Sequence, residues 1–189
     1  MTEETIIAGF GGQGVLTMGM VLAYAGMIED LEVSWMPSYG PEMRGGTANC
    51  ITILSDQEVS SPIVNKFDTA VILNQPSLEK FEAAVKPDGL LLYESNNIIN
   101  PPTRTDITVM PVPAVVEAAD LHSSRTLNMI MLGSFLAHKP LVKLPSIIAG
   151  LEQVLPSRYH HLTPLNREAI ERGMRLASTF INSGNGAAA

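Results

Sequence analysis

The chain lacks the residues that many kinds of site require. It has one cysteine, Cys50, in 189 residues, so an internal disulfide is excluded. A four-cysteine zinc or iron–sulfur site built from this chain alone is excluded too. Scarce cysteine favours a reducing compartment, so we expect a cytoplasmic protein. Cys50 falls in a predicted strand with no obvious base near it, and we expect a buried apolar residue rather than a nucleophile.

Positive charge and long apolar runs are also scarce. Lysine and arginine number 12 against 19 acidic residues, a formal net charge of −7, and they form no cluster. Nucleic-acid binding is therefore not expected. The apolar segment 15–28 is shorter than the roughly 20 residues that a membrane-spanning helix needs. The acidic residues 1–4 do not resemble a signal peptide, so we expect no membrane association.

Strand and helix patterns alternate along the chain and predict an α/β fold. We expect a Rossmann-like, doubly wound, mostly parallel sheet with C-terminal helices, formed by residues 1–182, and a disordered tail at 183–189. The predicted strands are 5–8, 32–36, 47–54, 69–73, 90–93 and 107–112. The predicted helices are 15–27, 77–85 (with Pro76 at its start), 115–119, 125–138, 144–155 and 163–181. Residues 60–63 and 86–89 are predicted turns, and Ser124 and Thr163 are predicted helix caps.

The segment Gly9-Phe10-Gly11-Gly12-Gln13-Gly14 joins the first predicted strand to the first helix. Glycines here permit a tight turn, and free N–H groups at the helix start favour a phosphate. A loop of this kind that binds a nicotinamide dinucleotide also needs an acidic residue about 20 residues further on, at the end of the next strand. Residues 35–39 contain none, and Glu32 stands at the start of that strand. A phosphate or an acidic partner group remains a candidate ligand for Gly9, Gly11, Gly12, Gln13 and Gly14, and close packing of helix on strand is the alternative.

A second constrained loop follows the second predicted strand. Proline fixes a bend at Gly40-Pro41, and Gly45-Gly46 permits close backbone approach. Glu42 and Arg44 could orient a substrate or a neighbouring subunit, or form a solvated surface pair. We expect this loop to be an interface, formed by Ser38, Tyr39, Gly40, Pro41, Glu42, Arg44, Gly45 and Gly46.

The chain carries no convincing catalytic constellation. It has no HExxH, GxSxG or Walker sequence. Ser124 suits a helix cap better than a partner for His122, and adjacent histidines, His160 and His161, do not share a helix face. We therefore expect no catalytic residue and no metal site in this chain, which indicates a component of a larger enzyme.

The pairing of GFGGQGV with SYGPEMRGGTANC resembles the gamma subunit of 2-oxoacid:ferredoxin oxidoreductases. Further matches are Ser60-Ser61-Pro62, Phe67-Asp68 and Asn74-Gln75-Pro76. The similarity covers roughly residues 5 to 180, and the two motifs stand about 25 residues apart. The SYGPEMRGG form looks more like the 2-oxoglutarate and 2-oxoisovalerate enzymes than the pyruvate enzyme, and we favour 2-oxoglutarate slightly. The smaller subunit of the indolepyruvate enzyme shares the fold.

The resemblance implies a role within an assembly. Such complexes oxidatively decarboxylate a 2-oxoacid, transfer the acyl group to coenzyme A and pass two electrons to ferredoxin. Thiamine diphosphate with magnesium and the iron–sulfur clusters would be bound by other subunits: alpha and beta catalytic subunits and a ferredoxin-like delta subunit. We therefore expect no cofactor on this chain alone, and no activity from it in isolation. The glycine loop would face a coenzyme A phosphate or a partner loop.

Two other hypotheses remain open on sequence alone. The chain could be a stand-alone nucleotide-binding oxidoreductase, which would bind NAD(P) or a flavin by itself. It could also be a structural adaptor with no ligand.

Overall fold

A computed structural model describes residues 1–40 and 46–185 of the chain. In these ranges six strands form one sheet. The strands are β1 (Thr2–Phe10), β2 (Glu32–Tyr39), β3 (Thr47–Ser55), β4 (Phe67–Ile72), β5 (Val85–Glu94) and β6 (Thr108–Val112). The helices are α1 (Val15–Ile28), α2 (Gln75–Phe81), α3 (Ala114–Asp120), α4 (Leu127–His138), α5 (Leu144–Val154) and α6 (Thr163–Phe180). Within this part of the chain no helix combines the length and apolar character needed to cross a membrane.

The sheet confirms the predicted α/β architecture and adds a reversed strand. The strand order is β2-β3-β1-β4-β5-β6. β1, β4, β5 and β6 are parallel neighbours, whereas β3 is antiparallel to both β1 and β2. Five strands therefore point one way and β3 points the other. β1 is paired along both sides, and β2 forms an edge of the sheet.

Side chains alternate between the two faces of the sheet and build two apolar cores. The larger core contains Ile7 and Phe135 and lies under α1, α3, α4, α5 and α6. The smaller one contains Ile6 and Phe67 and lies under α2 and the loops around it. Neighbouring residues of β1 thus enter opposite cores, which is the period-two pattern of a strand covered on both faces.

Helices α4 and α6 cross closely, and at the crossing a glycine of each helix lies against the backbone of the other. A Cβ atom on Gly133 would lie 2.0 Å from the Ile170 carbonyl oxygen, and one on Gly173 would lie 2.0 Å from the Ile130 carbonyl oxygen. The Ser134 hydroxyl donates to the Gly173 carbonyl oxygen across the contact at 3.1 Å. The backbones are therefore too close for any side chain at these two positions.

Two kinds of local prediction were wrong. The predicted turn at 86–89 lies inside β5 as an irregularity: Val85 pairs with Phe67, and regular pairing resumes only at Leu90 with Thr69. The turn-forming residues 86–89 therefore form a bulge within β5, and Asp88 has a left-handed conformation (φ 61°).

The capping predictions at Ser124 and Thr163 also failed. Ser124 opens a short 3₁₀ turn, and Thr163 is already the first residue of α6. Neither helix has a side-chain cap, and the Thr163 hydroxyl is buried without a partner. Pro76 does lie in the first turn of α2 as predicted, and Asn74 caps that helix by accepting from the Ser77 N–H at 3.0 Å.

The α4–α6 crossing gives a stability prediction. We expect Gly173→Ala to lower the free energy of unfolding by about 1–3 kcal/mol, because the methyl group forces the two backbones apart. Thermal denaturation measures the change. Gly40→Ala is the control, because a Cβ there would meet nothing within 4 Å. Equal melting temperatures for the two variants would contradict the close crossing.

Candidate functional site

The glycine loop connects β1 to α1, as the sequence predicted. Gly14 stands immediately before α1 in the left-handed conformation, with φ 77° and ψ 18°. A Cβ atom on Gly14 would also lie 2.3 Å from Nδ2 of Asn128, which donates to the Gly14 carbonyl oxygen at 3.2 Å. Both the backbone angle and the neighbouring side chain therefore require glycine here.

The Gln13 side chain ties the loop to the sheet. Its Oε1 accepts from the Phe10 N–H at 2.6 Å, and its Nε2 donates to the Leu73 carbonyl oxygen at 3.4 Å. The amide thus links the ends of the neighbouring parallel strands β1 and β4. Gln13 acts as a structural clamp, and its side chain is occupied within the protein.

Backbone hydrogen bonds within the protein reduce the number of N–H donors that the glycine loop can offer to a phosphate. The Gly11 N–H donates to the Gly46 carbonyl oxygen at 2.8 Å, and the Gln13 N–H donates to the Phe10 carbonyl oxygen at 3.1 Å. These two donors are engaged internally. A ligand at this loop would meet Gly12 and the start of α1 instead, so the role of Gly9, Gly11 and Gln13 becomes mainly structural. The same Gly11–Gly46 bond brings the two glycine motifs together.

The start of α1 offers donors to a ligand. The first turn has no side-chain cap and no acidic residue. The Met18 N–H bonds to the Gly14 carbonyl oxygen, and the N–H groups before it have no partner within the helix. The partial positive charge of the helix dipole falls at this point. An anionic group would satisfy both conditions.

A cavity of about 640 Å³ borders these donors. The glycine loop and the first turns of α1 form one side, and β2 forms the other. None of its lining residues within 1–40 and 46–185 is charged. The lining residues are Phe10, Gly11, Gly12, Gly14, Val15, Leu16, Thr17, Met20, Trp35, Pro37, Tyr39 and Ala48. The cavity therefore combines N–H donors at one end with aromatic and apolar surface elsewhere.

The predicted interface loop is only partly within the described residues. Ser38 and Tyr39 end β2, and Tyr39 is 59% exposed at the cavity rim. Gly40 and Gly46 flank the segment 41–45. Pro41, Glu42, Arg44 and Gly45 lie outside the described residues, so their interface role stays a prediction.

Strand order argues against a dinucleotide site of the Rossmann type. Such a site needs the strand that carries the acid to lie beside β1. Here β3 separates β1 from β2, so the end of β2 is two strand spacings, roughly 10 Å, away. Glu32 lies at the far end of β2, level with Ser55 and Thr2. In the part of the chain that the structure describes, the end of β2 places no carboxylate for a ribose at the glycine loop.

The other candidate residues do not join the cavity. Cys50 is fully buried as predicted, and burial raises the pKa of its thiol to about 12, so it is not a nucleophile at neutral pH. His122 is exposed beside another opening, and His160 Nε2 contacts the Leu155 carbonyl oxygen at 2.9 Å. In residues 1–40 and 46–185 no three His, Cys, Asp or Glu side chains are grouped to hold a metal ion. Sequence reasoning missed Asn128, because its partner Gly14 lies 114 residues away.

The chain matches known proteins over most of its length. The family described as pyruvate ferredoxin/flavodoxin oxidoreductase matches residues 4–176. Ketoisovalerate oxidoreductase subunit VorA of Methanothermobacter thermautotrophicus is 44% identical over 131 residues, 69% of this chain and 27% of that protein. 2-Oxoglutarate synthase subunit KorC of Methanocaldococcus jannaschii is 30% identical over 137 residues, 71% of this chain and 73% of that protein. The chain thus spans about a quarter of the VorA relative.

Solved structures share the fold. The gamma subunit of a keto/oxoacid ferredoxin oxidoreductase from Geobacter sulfurreducens superposes with a TM-score of 0.78 at 26% identity, covering 94% of this chain and 99% of that one. A 2-oxoglutarate:ferredoxin oxidoreductase from Magnetococcus marinus, solved with 2-oxoglutarate, coenzyme A and succinyl-CoA, gives a TM-score of 0.85 at 22% identity. It covers 94% of this chain and 31% of that one.

The clamp made by Gln13 can be tested without a ligand. We expect Gln13→Glu to destabilise the protein by about 1–3 kcal/mol, because the carboxylate cannot donate to the Leu73 carbonyl oxygen. Thermal and urea denaturation measure the loss. Gln57→Glu, at an exposed position, is the control for the added charge. Equal stability of the two variants would show that the clamp contributes nothing.

Proposed function

This chain belongs to the pyruvate ferredoxin/flavodoxin oxidoreductase family, and we propose that it is the gamma subunit of a 2-oxoacid:ferredoxin oxidoreductase. In the proposed complex a 2-oxoacid is oxidatively decarboxylated, its acyl group passes to coenzyme A, and ferredoxin accepts the electrons. The alpha and beta subunits would hold thiamine diphosphate with magnesium. The iron–sulfur clusters would lie in subunits richer in cysteine than this one.

The observation that carries the proposal is the chemistry of the cavity at the start of α1. Among residues 1–40 and 46–185, its lining contains no acid, base or activated nucleophile that could act on a carbonyl group. They do present free N–H donors beside aromatic surface. Coenzyme A has phosphates and a flat adenine, and this combination fits it. We therefore assign binding of coenzyme A, rather than catalysis, to this chain.

The substrate is proposed as a 2-oxoacid of the 2-oxoglutarate and 2-oxoisovalerate group. The SYGPEMRGG motif fits both of these enzymes better than the pyruvate enzyme, and the greater identity to the ketoisovalerate relative favours the branched acid. No residue of the cavity discriminates between them. Specificity then belongs to the catalytic subunits.

Co-purification followed by an assay tests the assignment. The chain is isolated from its own cells, and we expect a thiamine-diphosphate subunit and a cysteine-rich subunit to accompany it. The complex should reduce a viologen dye only when a 2-oxoacid and coenzyme A are both present, and comparison of 2-oxoglutarate, 2-oxoisovalerate and pyruvate assigns the substrate. A chain that purifies alone and binds NAD(P) in calorimetry would overturn the proposal in favour of a stand-alone oxidoreductase.

Thr17→Glu separates ligand binding from stability. Thr17 lies in the first turn of α1 and lines the cavity. A carboxylate there interacts favourably with the helix dipole and stabilises the protein by about 0.3–1 kcal/mol, so the melting temperature should not fall. The same charge repels a phosphate, and we expect the KM for coenzyme A to rise about tenfold, equivalent to roughly 1.4 kcal/mol. Thr17→Gln is the neutral control. An unchanged KM in the glutamate variant would remove coenzyme A from this cavity.

A further inference from the structure

The outer side of α1 is apolar, and α5 covers only part of it, where Gly150 lies against Val21, Tyr24 and Ala25. The helix has no charged residue along its length, and its inner side is buried against the sheet. Leu16, Met20, Tyr24 and Met27 recur at helical spacing and form a stripe on the outside. Tyr24 is 37% exposed and Met27 is 59% exposed. Helices that cover a sheet normally turn a polar side outwards, so this stripe calls for a partner.

The stripe forms one wall of a groove along the edge of the sheet. The cavity of about 640 Å³ at the glycine loop continues into another of about 650 Å³, and Met20 and Trp35 line both. The second wall is the edge strand β2. We call this feature the α1–β2 groove; its main apolar side chains are Phe10, Met20, Tyr24, Met27, Trp35 and Tyr39.

The two ends of the groove differ in charge. Asp30 and Glu32 line the end away from the glycine loop, whereas the described residues that line the other end are all uncharged. Neither carboxylate forms an ion pair among the described residues. A basic group would complement this end. A second copy of the chain meeting groove to groove in a parallel arrangement would instead bring the two acidic ends together, which is unfavourable.

Pro37 restricts how a partner can bind. It lies in the edge strand β2, and a proline in an edge strand directs its missing N–H outwards, where it hinders pairing with another strand. The partner is thus expected to insert side chains into the groove rather than extend the sheet. From Met20 to Met27, beyond the cavity at the glycine loop, the stripe is about 10 Å long, which matches two turns of a helix.

We propose that the end of the α1–β2 groove away from the glycine loop, lined by Met20, Tyr24, Met27 and Trp35, docks an amphipathic helix from a catalytic subunit of the complex and leaves the glycine-loop end to coenzyme A. The helix carries an apolar ridge along the groove and lysine or arginine next to Asp30 and Glu32. This inference rests on the proposed function, because the partner is a subunit of the same oxidoreductase. It adds the surface and the chemistry by which that subunit is recognised.

Assembly of tagged variants with the co-expressed subunits tests the groove. We expect Tyr24→Glu and Met27→Glu to weaken assembly at least tenfold by quantitative pull-down, while their melting temperatures stay close to that of the wild type. Ile63→Glu and Ile99→Glu are matched controls, because both residues are more exposed (70% and 87%) and lie outside the groove. Glu32→Lys should also weaken assembly and reduce its dependence on salt.

The outcomes separate this inference from the function. If the wild-type chain assembles and the groove variants assemble equally well, the groove is not the docking site and the proposed function stands. If the wild-type chain does not assemble, both fail. A photo-crosslinking residue in place of Met27 detects the docked partner directly, so this test does not depend on a variant that binds less well. It should join to a helical segment containing lysine or arginine, and crosslinks formed instead from Ile99 would overturn the proposal.

Discussion

The left-handed turn at Gly14 is the constraint on which the site depends. It redirects the chain from the central strand into α1 within a few residues, and it leaves the first N–H groups of that helix without internal partners. The Asn128 side chain holds the same turn from α4, and Gln13 holds it to the end of β4. One backbone conformation therefore positions the helix start, the cavity beside it and the contact between two distant parts of the chain.

Local pattern predicted most elements, because strand and helix periodicity is carried by neighbouring residues. The helix 15–27, the strand 47–54 and the burial of Cys50 agree with the structure. The reversal of β3 could not be predicted, because composition does not encode the partner or direction of a strand. The turn expected at 86–89 failed for a related reason: Pro-Asp-Gly also suits a bulge, and pairing with β4 decides between the two.

The sequence predicted where the glycine loop lies, between β1 and α1, but not its hydrogen bonds. The two glycine motifs do meet, through the bond between Gly11 and Gly46. Internal hydrogen bonds, however, occupy the backbone N–H groups of Gly11 and Gln13. The motif alone could not predict these bonds, because it does not specify which residues lie next to the loop in the folded chain. The remaining donors belong to α1, a helix whose outer side is unusually apolar. The proposed phosphate-binding end and the proposed docking side thus occur on the same element, which would couple ligand binding to subunit docking in the proposed complex.

The central position of β1 has a consequence for biosynthesis. Of the six strands, β1 leaves the ribosome first, yet its hydrogen-bonding partners are β3 and β4, which are made later. Its second neighbour becomes available only after Ile72 has emerged. Until then at least one edge of β1 is unpaired, and unpaired strand edges are where chains aggregate or bind chaperones. The acidic residues at the start of β1, Glu3 and Glu4, place negative charge on that segment throughout this interval.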